Sequence, residues 1–384
     1  MKPIYLDYNA TTPLDPLVVD AMEPFLREQF GNPSSTHAYG QVAHEAIVHA
    51  RAQVARLLGA TPSEITFTSG GTEATNHALK GIVLQALLGS HRDRPHIITS
   101  TVEHPATSET CAYLERLGCR ITRIPVNRYG VLDLDALERA LRQPTTLVSV
   151  MHASNEVGTL QPIPAVAKLA HERGTLVHTD AAQSAGKIPV NVDELGVDML
   201  SLAGHKLYAP KGVGALYVRA GVTLEPLIHG AGHEGGRRAG TENVPYIVAF
   251  GAACEVAARS LPAASESLFR LRERLWHRLR DQLGKDVVLN GHPEERLPNT
   301  LNVSFVDHIG AELLAAVPEI AASTGSACHE GRVELSPILR AMGVPEAVGR
   351  GAVRLCVGRF TTEAEVDRAA ALLTARCRAL TSPI

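Results

Sequence analysis

Lys206 lies in Ser201-Leu-Ala-Gly-His-Lys-Leu-Tyr-Ala-Pro-Lys-Gly212, just past an apolar run, and Asp180 and Gln183 lie one candidate strand earlier in His178-Thr-Asp-Ala-Ala-Gln-Ser184. A primary amine at a strand end can condense with an aldehyde, and a nearby carboxylate can keep a pyridinium nitrogen protonated. Together these are the parts a protein needs to hold pyridoxal phosphate and use it as an electron sink. A lysine after a strand is ordinarily a solvated charge, so the reading rests on the residues around it.

Several further segments have the same strand-end placement. Thr68-Ser-Gly-Gly-Thr-Glu-Ala-Thr-Asn76 follows a strand and opens a helix. Gly70 and Gly71 let the backbone approach closely, Thr72 adds a hydroxyl, and the free N–H groups of the helix start would receive a phosphate. An ordinary Ser/Thr-capped helix start has the same look, and there is no Walker lysine. His104, in Ser100-Thr-Val-Glu-His-Pro-Ala106, is placed to stack on a flat ring and shuttle protons, or merely to cap a helix. Asn155, in His152-Ala-Ser-Asn-Glu-Val-Gly158, suits a phenolic oxygen or a substrate carboxylate, or plain turn chemistry. A buried Asp180 would need a cation, which a pyridinium N–H supplies and a salt bridge would equally supply. Gln183 is read as one helical turn further on, facing the same site, and His205 as a donor to the phosphate. Each feature is weak alone; their order at successive strand ends is what gives them weight.

The elements that must position these residues are legible in the hydropathy pattern. Between residues 45 and 220, amphipathic helical stretches alternate with β-branched runs at Ile65–Thr68, His96–Ser100, Arg120–Ile124, Leu147–Met151, Leu176–Thr179, Met199–Leu202 and Ala215–Val218. Helical patterns at Leu134–Leu141 and Pro164–Arg173 lie between them. This rhythm predicts an α/β fold with a large, mostly parallel seven-stranded sheet covered on both faces, whose strand ends bind ligand. After the Gly-rich stretch Gly230–Gly240, a long helical region to about Gly284 leads into strands at Asn299–Phe305 and Val353–Val357 and a final helix at Thr362–Leu380. The expected division is a large domain over 14–255 and a smaller α+β domain formed by 1–13 with 256–384.

Bulk properties exclude little but agree. The 384 residues are 45% hydrophobic with a formal net charge of −3 and no long basic run, so charge alone predicts neither nucleic-acid nor membrane binding. The opening Met1-Lys-Pro-Ile-Tyr-Leu-Asp-Tyr lacks the apolar stretch of a signal peptide, and no apolar run approaches membrane-spanning length. Six cysteines, with no CxxC pair and no metal-like spacing, predict reduced thiols in a cytoplasmic setting and no metal centre. Aromatic residues are only 4%, so the core must be built from Leu, Val, Ile and Ala.

Nearly end to end, the chain resembles the cysteine desulfurases, within the fold-type I, class V aminotransferase-like pyridoxal-phosphate enzymes. Tyr5-Leu-Asp-Tyr-Asn-Ala-Thr-Thr-Pro13, Phe30-Gly-Asn-Pro-Ser34, Met151-His-Ala-Ser-Asn-Glu-Val-Gly-Thr159, His178–Gln183, Gly204-His-Lys206, Arg238-Ala-Gly-Thr-Glu242 and Gly325-Ser-Ala-Cys328 follow in family order. The resemblance implies that Lys206 is the Schiff-base lysine, that Asp180 pairs the ring nitrogen and that His104 stacks on the ring. Gln183 and Asn155 would address the phenolic oxygen, and Gly71, Thr72 and His205 the phosphate. Thr241 would reach the phosphate of a partner subunit, implying a homodimer. Ala203 departs from the family's usual phosphate-binding serine, which predicts weaker cofactor retention.

Cys328 is the implied nucleophile, taking sulfur from L-cysteine as a persulfide, releasing L-alanine and passing the sulfur to an acceptor protein. Its segment, Ser323-Thr-Gly-Ser-Ala-Cys-His-Glu-Gly-Arg-Val333, is small and polar, which predicts mobility, and His329 and Arg332 would favour the thiolate. Its spacing to Glu334–Gly343 resembles the longer-loop branch of the family. The destination of the sulfur stays open between iron–sulfur assembly, where Cys328 would be at most a transient cluster contact, and tRNA or DNA thiolation. Arg354, alternating with apolar Val353, Leu355 and Val357, is the implied substrate-carboxylate arginine. Cys356 shares its face and either approaches the pocket or packs; Cys111, Cys119, Cys254 and Cys377 read as core filling. Alternatives on the same scaffold are selenocysteine lyase and an aminotransferase; a sulfur-carrier scaffold is the alternative of another class.

Overall fold

The computed structural model describes residues 2–89, 94–142, 144–324, 328–329, 332–333 and 335–381, with 328–329, 332–333 and 380–381 as backbone only. Seven strands form the main sheet: β2 (Ile65–Thr68), β3 (His96–Ser100), β4 (Arg120–Ile124), β5 (Leu147–Ser149), β6 (Leu176–Asp180), β7 (Met199–Ala203) and β8 (Gly214–Val218). Their order is β2-β8-β7-β6-β5-β3-β4. The run from β7 to β4 is parallel, and β8 is antiparallel to both neighbours. The expected strands are present; β5 ends at Ser149, after which Val150 packs into the core with its N–H on His178 O at 3.1 Å and Met151 lines the cavity described below.

Side-chain alternation decides which layer covers which face. Val148, Leu200, Leu202 and Tyr217 point into a core shared with helices α2 (Ala38–Leu58), α5 (Leu134–Ala140) and α6 (Ile163–His171), and α1 (Pro16–Arg27) and α7 (Val192–Leu195) add residues to it. Their neighbours Leu147, Met199, Leu216 and Val218 point the other way, against α3 (Gly71–Leu88) and α4 (Pro105–Arg116). Both faces of the central strands are therefore dry, which explains why β5, β7 and β8 read as largely apolar runs.

Helix α8 (Val244–Leu283) is 40 residues long and passes through Pro262. By length and composition alone it is apolar enough to cross a membrane, which the sequence reading did not expect. Its buried residues are instead packed inside the protein: Ile247, Phe250 and Cys254 in the sheet's core, then Leu268, Leu271, Leu275 and Leu279 in a separate one. That second core also holds β9 (Val287–Asn290), β10 (Thr300–Phe305), β14 (Ala352–Cys356) and α12 (Glu363–Thr381), with the three strands in antiparallel order β14-β10-β9. Ile4 and Leu6 join it as well, because β1 (Ile4–Tyr5) pairs in parallel with β11 (Ile320–Ala321). Short helices α9 (Gly310–Ala315), α10 (Pro337–Ala341) and α11 (Glu346–Gly349) complete this part. Between them, β12 (Cys328–His329) and β13 (Arg332–Val333) form a two-residue antiparallel pair.

Candidate active site

The carboxyl ends of β3, β5, β6 and β7 and the start of α3 converge on one cavity of about 440 Å³. Its walls include Gly71, Thr72, His104, Asn155, Asp180, Gln183, Ala203, His205, Lys206 and Arg354. All the sequence-predicted site residues whose side chains are described are therefore brought together, except Thr241. That residue is exposed and is not part of the wall.

Lys206 sits in the single 3₁₀ turn Gly204–Lys206 that ends β7. Its Nζ donates to Asn9 O at 2.5 Å and Ala10 O at 2.7 Å. Burial, reinforced by the positive charge of Arg354, lowers its pKa to about 8. The backbone just beyond is strained: Tyr208 has φ 64 and is clamped by Thr12, whose hydroxyl accepts its N–H at 2.9 Å. Asp180 ends β6, and its Oδ1 accepts the Ala182 N–H at 2.9 Å. Burial pushes its carboxyl up, against the opposing pull of that N–H, His104 and Lys206. A cationic ring nitrogen would relieve that cost.

His104 caps α4 through Nδ1, which accepts the Ala106 N–H at 3.1 Å, and the imidazole remains exposed to the cavity. Desolvation by its surroundings lowers its pKa. His205 is lowered to about 4 by burial and by Lys206, and its Nδ1 lies 3.2 Å from Thr11 Oγ1. Gln183 differs from expectation. The segment after Asp180 is a turn, with Ser184 and Ala185 N–H groups on Ala181 O, and no helix forms. The Gln183 amide is already engaged, Nε2 with Asn9 O at 2.9 Å and Oε1 with Lys187 Nζ at 2.8 Å.

The start of α3 has the form expected of a phosphate cradle. Gly70 supplies no side-chain cap, and the first intrahelical bond runs from Ala74 N–H to Gly70 O, leaving earlier N–H groups free. A Cβ added at Gly71 would come within 3.1 Å of Ala203 Cβ, so glycine is what keeps this corner open. Asn155 Oδ1 is buried without a partner. An aldehyde-reactive amine, a carboxylate for a ring nitrogen, an open N–H cradle and an orphaned polar atom on one wall fit pyridoxal phosphate.

Arg354 reaches the opposite wall from β14, where its apolar neighbours Val353, Leu355 and Val357 point into the second core, as their alternation predicts. Cys356 does not approach the cavity: it is fully buried against Tyr8 and Tyr208, and burial raises its thiol pKa. Cys111, Cys119 and Cys254 are buried and free, and Cys377 is buried as well. The side chain of Cys328, with His329 and Arg332, lies outside the described residues, as does Gly325–Ala327.

The sequence reading missed the supporting groups. Asn9, 1% exposed, receives Lys206 and Gln183 on its carbonyl, Lys187 and Asn299 on its amide oxygen, and donates to Thr300 Oγ1 and Asn155 O. Glu103, whose pKa burial pushes up to about 8, accepts the Met151 N–H on both oxygens and so fixes the exit of β5. His178 bridges Ser149 and Ser201 at 2.9 and 2.8 Å, pinning three adjacent strands. All three lie inside motifs quoted from the sequence (Tyr5–Pro13, Ser100–Ala106 and His178–Gln183), but none was given a role there.

The chain's relatives agree with this geometry. The aminotransferase class-V family model matches residues 4–369. Cysteine desulfurase IscS of Dictyoglomus turgidum is 47% identical over 368 residues, which cover 95% of this chain and 92% of the relative. Among solved structures, a NifS-like protein matches with a TM-score of 0.90 at 39% identity over 99% of each chain. SspA in complex with cysteine matches with a TM-score of 0.82 at 36% identity, over 93% of this chain and 99% of that one. On this similarity and coverage, the chain belongs to the cysteine desulfurases of the aminotransferase class-V family.

Proposed function

We propose that the cavity binds pyridoxal 5′-phosphate and L-cysteine, and that the enzyme releases L-alanine while sulfur passes to Cys328 and then to an acceptor protein. The observation that carries this reading is the meeting of Lys206, Asp180 and Arg354 on the walls of one cavity. Lys206 would hold the cofactor aldehyde, Asp180 the protonated ring nitrogen, and Gly71, Thr72 and His205 the phosphate. Bound there, the cofactor supplies a sink for the electron pair set free at the substrate's Cα.

The residues of this chain then have distinct tasks. Arg354 binds the α-carboxylate and fixes which bonds at Cα face Lys206. Lys206 Nζ, whose pKa burial lowers to about 8 and so brings the neutral amine within easier reach, moves the Cα proton, and His104 is the second acid–base group. The Cys328 thiolate attacks the substrate sulfur: an S–S bond forms, the Cβ–S bond breaks, and its electron pair stays on carbon, which takes up a proton on the way to alanine.

The assembly is a homodimer in this reading. An exposed Thr241 away from its own cavity is what a residue serving a partner's phosphate requires. Buried cysteines at 111, 119, 254, 356 and 377, none in a disulfide, support a reducing, cytoplasmic setting.

Purified protein incubated with L-cysteine should give alanine and sulfide in equal amounts when a thiol reductant is present. Cys328→Ser should abolish both, Cys356→Ser should keep both, and Lys206→Ala should lose the cofactor's visible absorbance. Alanine formation that survives Cys328→Ser would instead favour a lyase without a persulfide, and a keto-acid product in place of alanine would favour an aminotransferase.

A further inference from the structure

Arg354 is held by the protein itself before any ligand arrives. Nη1 donates to Asn155 O at 3.1 Å, and Nη2 meets Asp7 Oδ1 at 2.8 Å. The other oxygen of Asp7 accepts from Ser323 Oγ at 2.9 Å. Backbone pairing closes the same triangle: Arg354 N–H donates to Ser323 O at 2.7 Å, and Asp7 bridges β14 at Cys356. The ion pair is shielded, with the two side chains 10% and 17% exposed.

A carboxylate in this place is an electrostatic liability for a site that takes a carboxylate, because like charges repel strongly where water is excluded. Attraction of ligand therefore does not explain Asp7. Orientation does. A free arginine has many rotamers, and fixing it at the moment of binding would cost affinity that a pre-formed brace saves. A guanidinium has five N–H donors, so two can be tied to the protein while others remain for a ligand.

We propose that Asp7 is a positioning residue for the amino-acid carboxylate: by tying Arg354 to Ser323 it fixes the guanidinium in the orientation that receives the ligand. This rests on the functional reading above.

The test titrates the holoenzyme's cofactor absorbance with L-alanine and with ethylamine, which lacks only the carboxylate. Variants are compared at matched cofactor content. Asp7→Ala should lower the alanine-to-ethylamine affinity ratio by about tenfold, the scale of a lost charge-assisted contact. Asp7→Asn, which keeps an acceptor but no charge, should hold or raise the ratio. In an Arg354→Ala background, Asp7→Ala should change the ratio no further. The inference is overturned if Asp7→Ala leaves the ratio unchanged, if Asp7→Asn falls as far as Asp7→Ala, or if the two losses add in full. A wild-type enzyme that responds to neither amine nor to L-cysteine overturns the functional reading and this inference with it.

Discussion

At the scale of single residues, the chemistry turns on an amine that gives up its proton early. An ordinary lysine titrates near 10.5, whereas burial brings Lys206 to about 8. Only the neutral amine captures an aldehyde, so cofactor uptake by the apoprotein should speed up as pH rises toward 8 and level off above about 9. A rate that keeps climbing through pH 10 would contradict the environment described for this side chain. Ala203 sets a second expectation. It lines the cavity beside Gly71, whose missing Cβ leaves room for a hydroxyl. Ala203→Ser should slow cofactor dissociation by up to about tenfold, in line with roughly 0.5–1.5 kcal/mol for one added hydrogen bond; equal dissociation rates would remove Ala203 as the cause of weak retention. Lys206, Asp180 and Arg354 were legible in the sequence because each stands at or in a strand whose pattern announces it. Asn9 and Asp7 were not, since their partners lie at Gln183, Lys206, Asn299, Ser323 and Arg354, contacts that only the folded chain creates. Gln183 was placed on a helix because its spacing fits one; the turn that forms there sends its amide to Lys187 and Asn9.

At the scale of elements, the site depends on the start of α3. Gly70 has φ 150 and ψ 179, a backbone region that side chains with a Cβ rarely enter, and nothing within 4 Å would otherwise obstruct a methyl there. Gly70→Ala should therefore destabilise the fold by about 1–3 kcal/mol through the backbone alone. A shift in the denaturation midpoint would report it, and no shift would mean that the junction relaxes freely. The central strands β5, β7 and β8 were readable because burial on both faces makes them largely apolar, whereas β2 and the edge strand β4 alternate with polar residues. Their ends were less readable. After β5, Met151 lines the cavity although Val150 before it still packs in the core. The span of α8 was visible too, but not its route through two cores, since Pro262 would ordinarily argue for a break.

At the scale of the molecule, the proposed homodimer gives the exposed Thr241 a role at a partner's phosphate. Light scattering should give twice the mass of one chain, and Thr241→Val should weaken cofactor binding without altering that mass. A monomer retaining full cofactor would remove the basis for Thr241's role. In the proposed division into two domains, one would hold the core of the main sheet and the other the core around α12, with the boundary falling where α8, which enters both, is divided. The pairing of Ile4 with Ile320, and of Asp7 with Cys356, has a further consequence for how the protein is made. Synthesis is vectorial, and the segment that cups Lys206 leaves the ribosome well before the strands on which it docks. The nascent chain can thus finish most of its central sheet while its vitamin pocket still lacks a wall, so coenzyme loading should wait until β11 and β14 have been made.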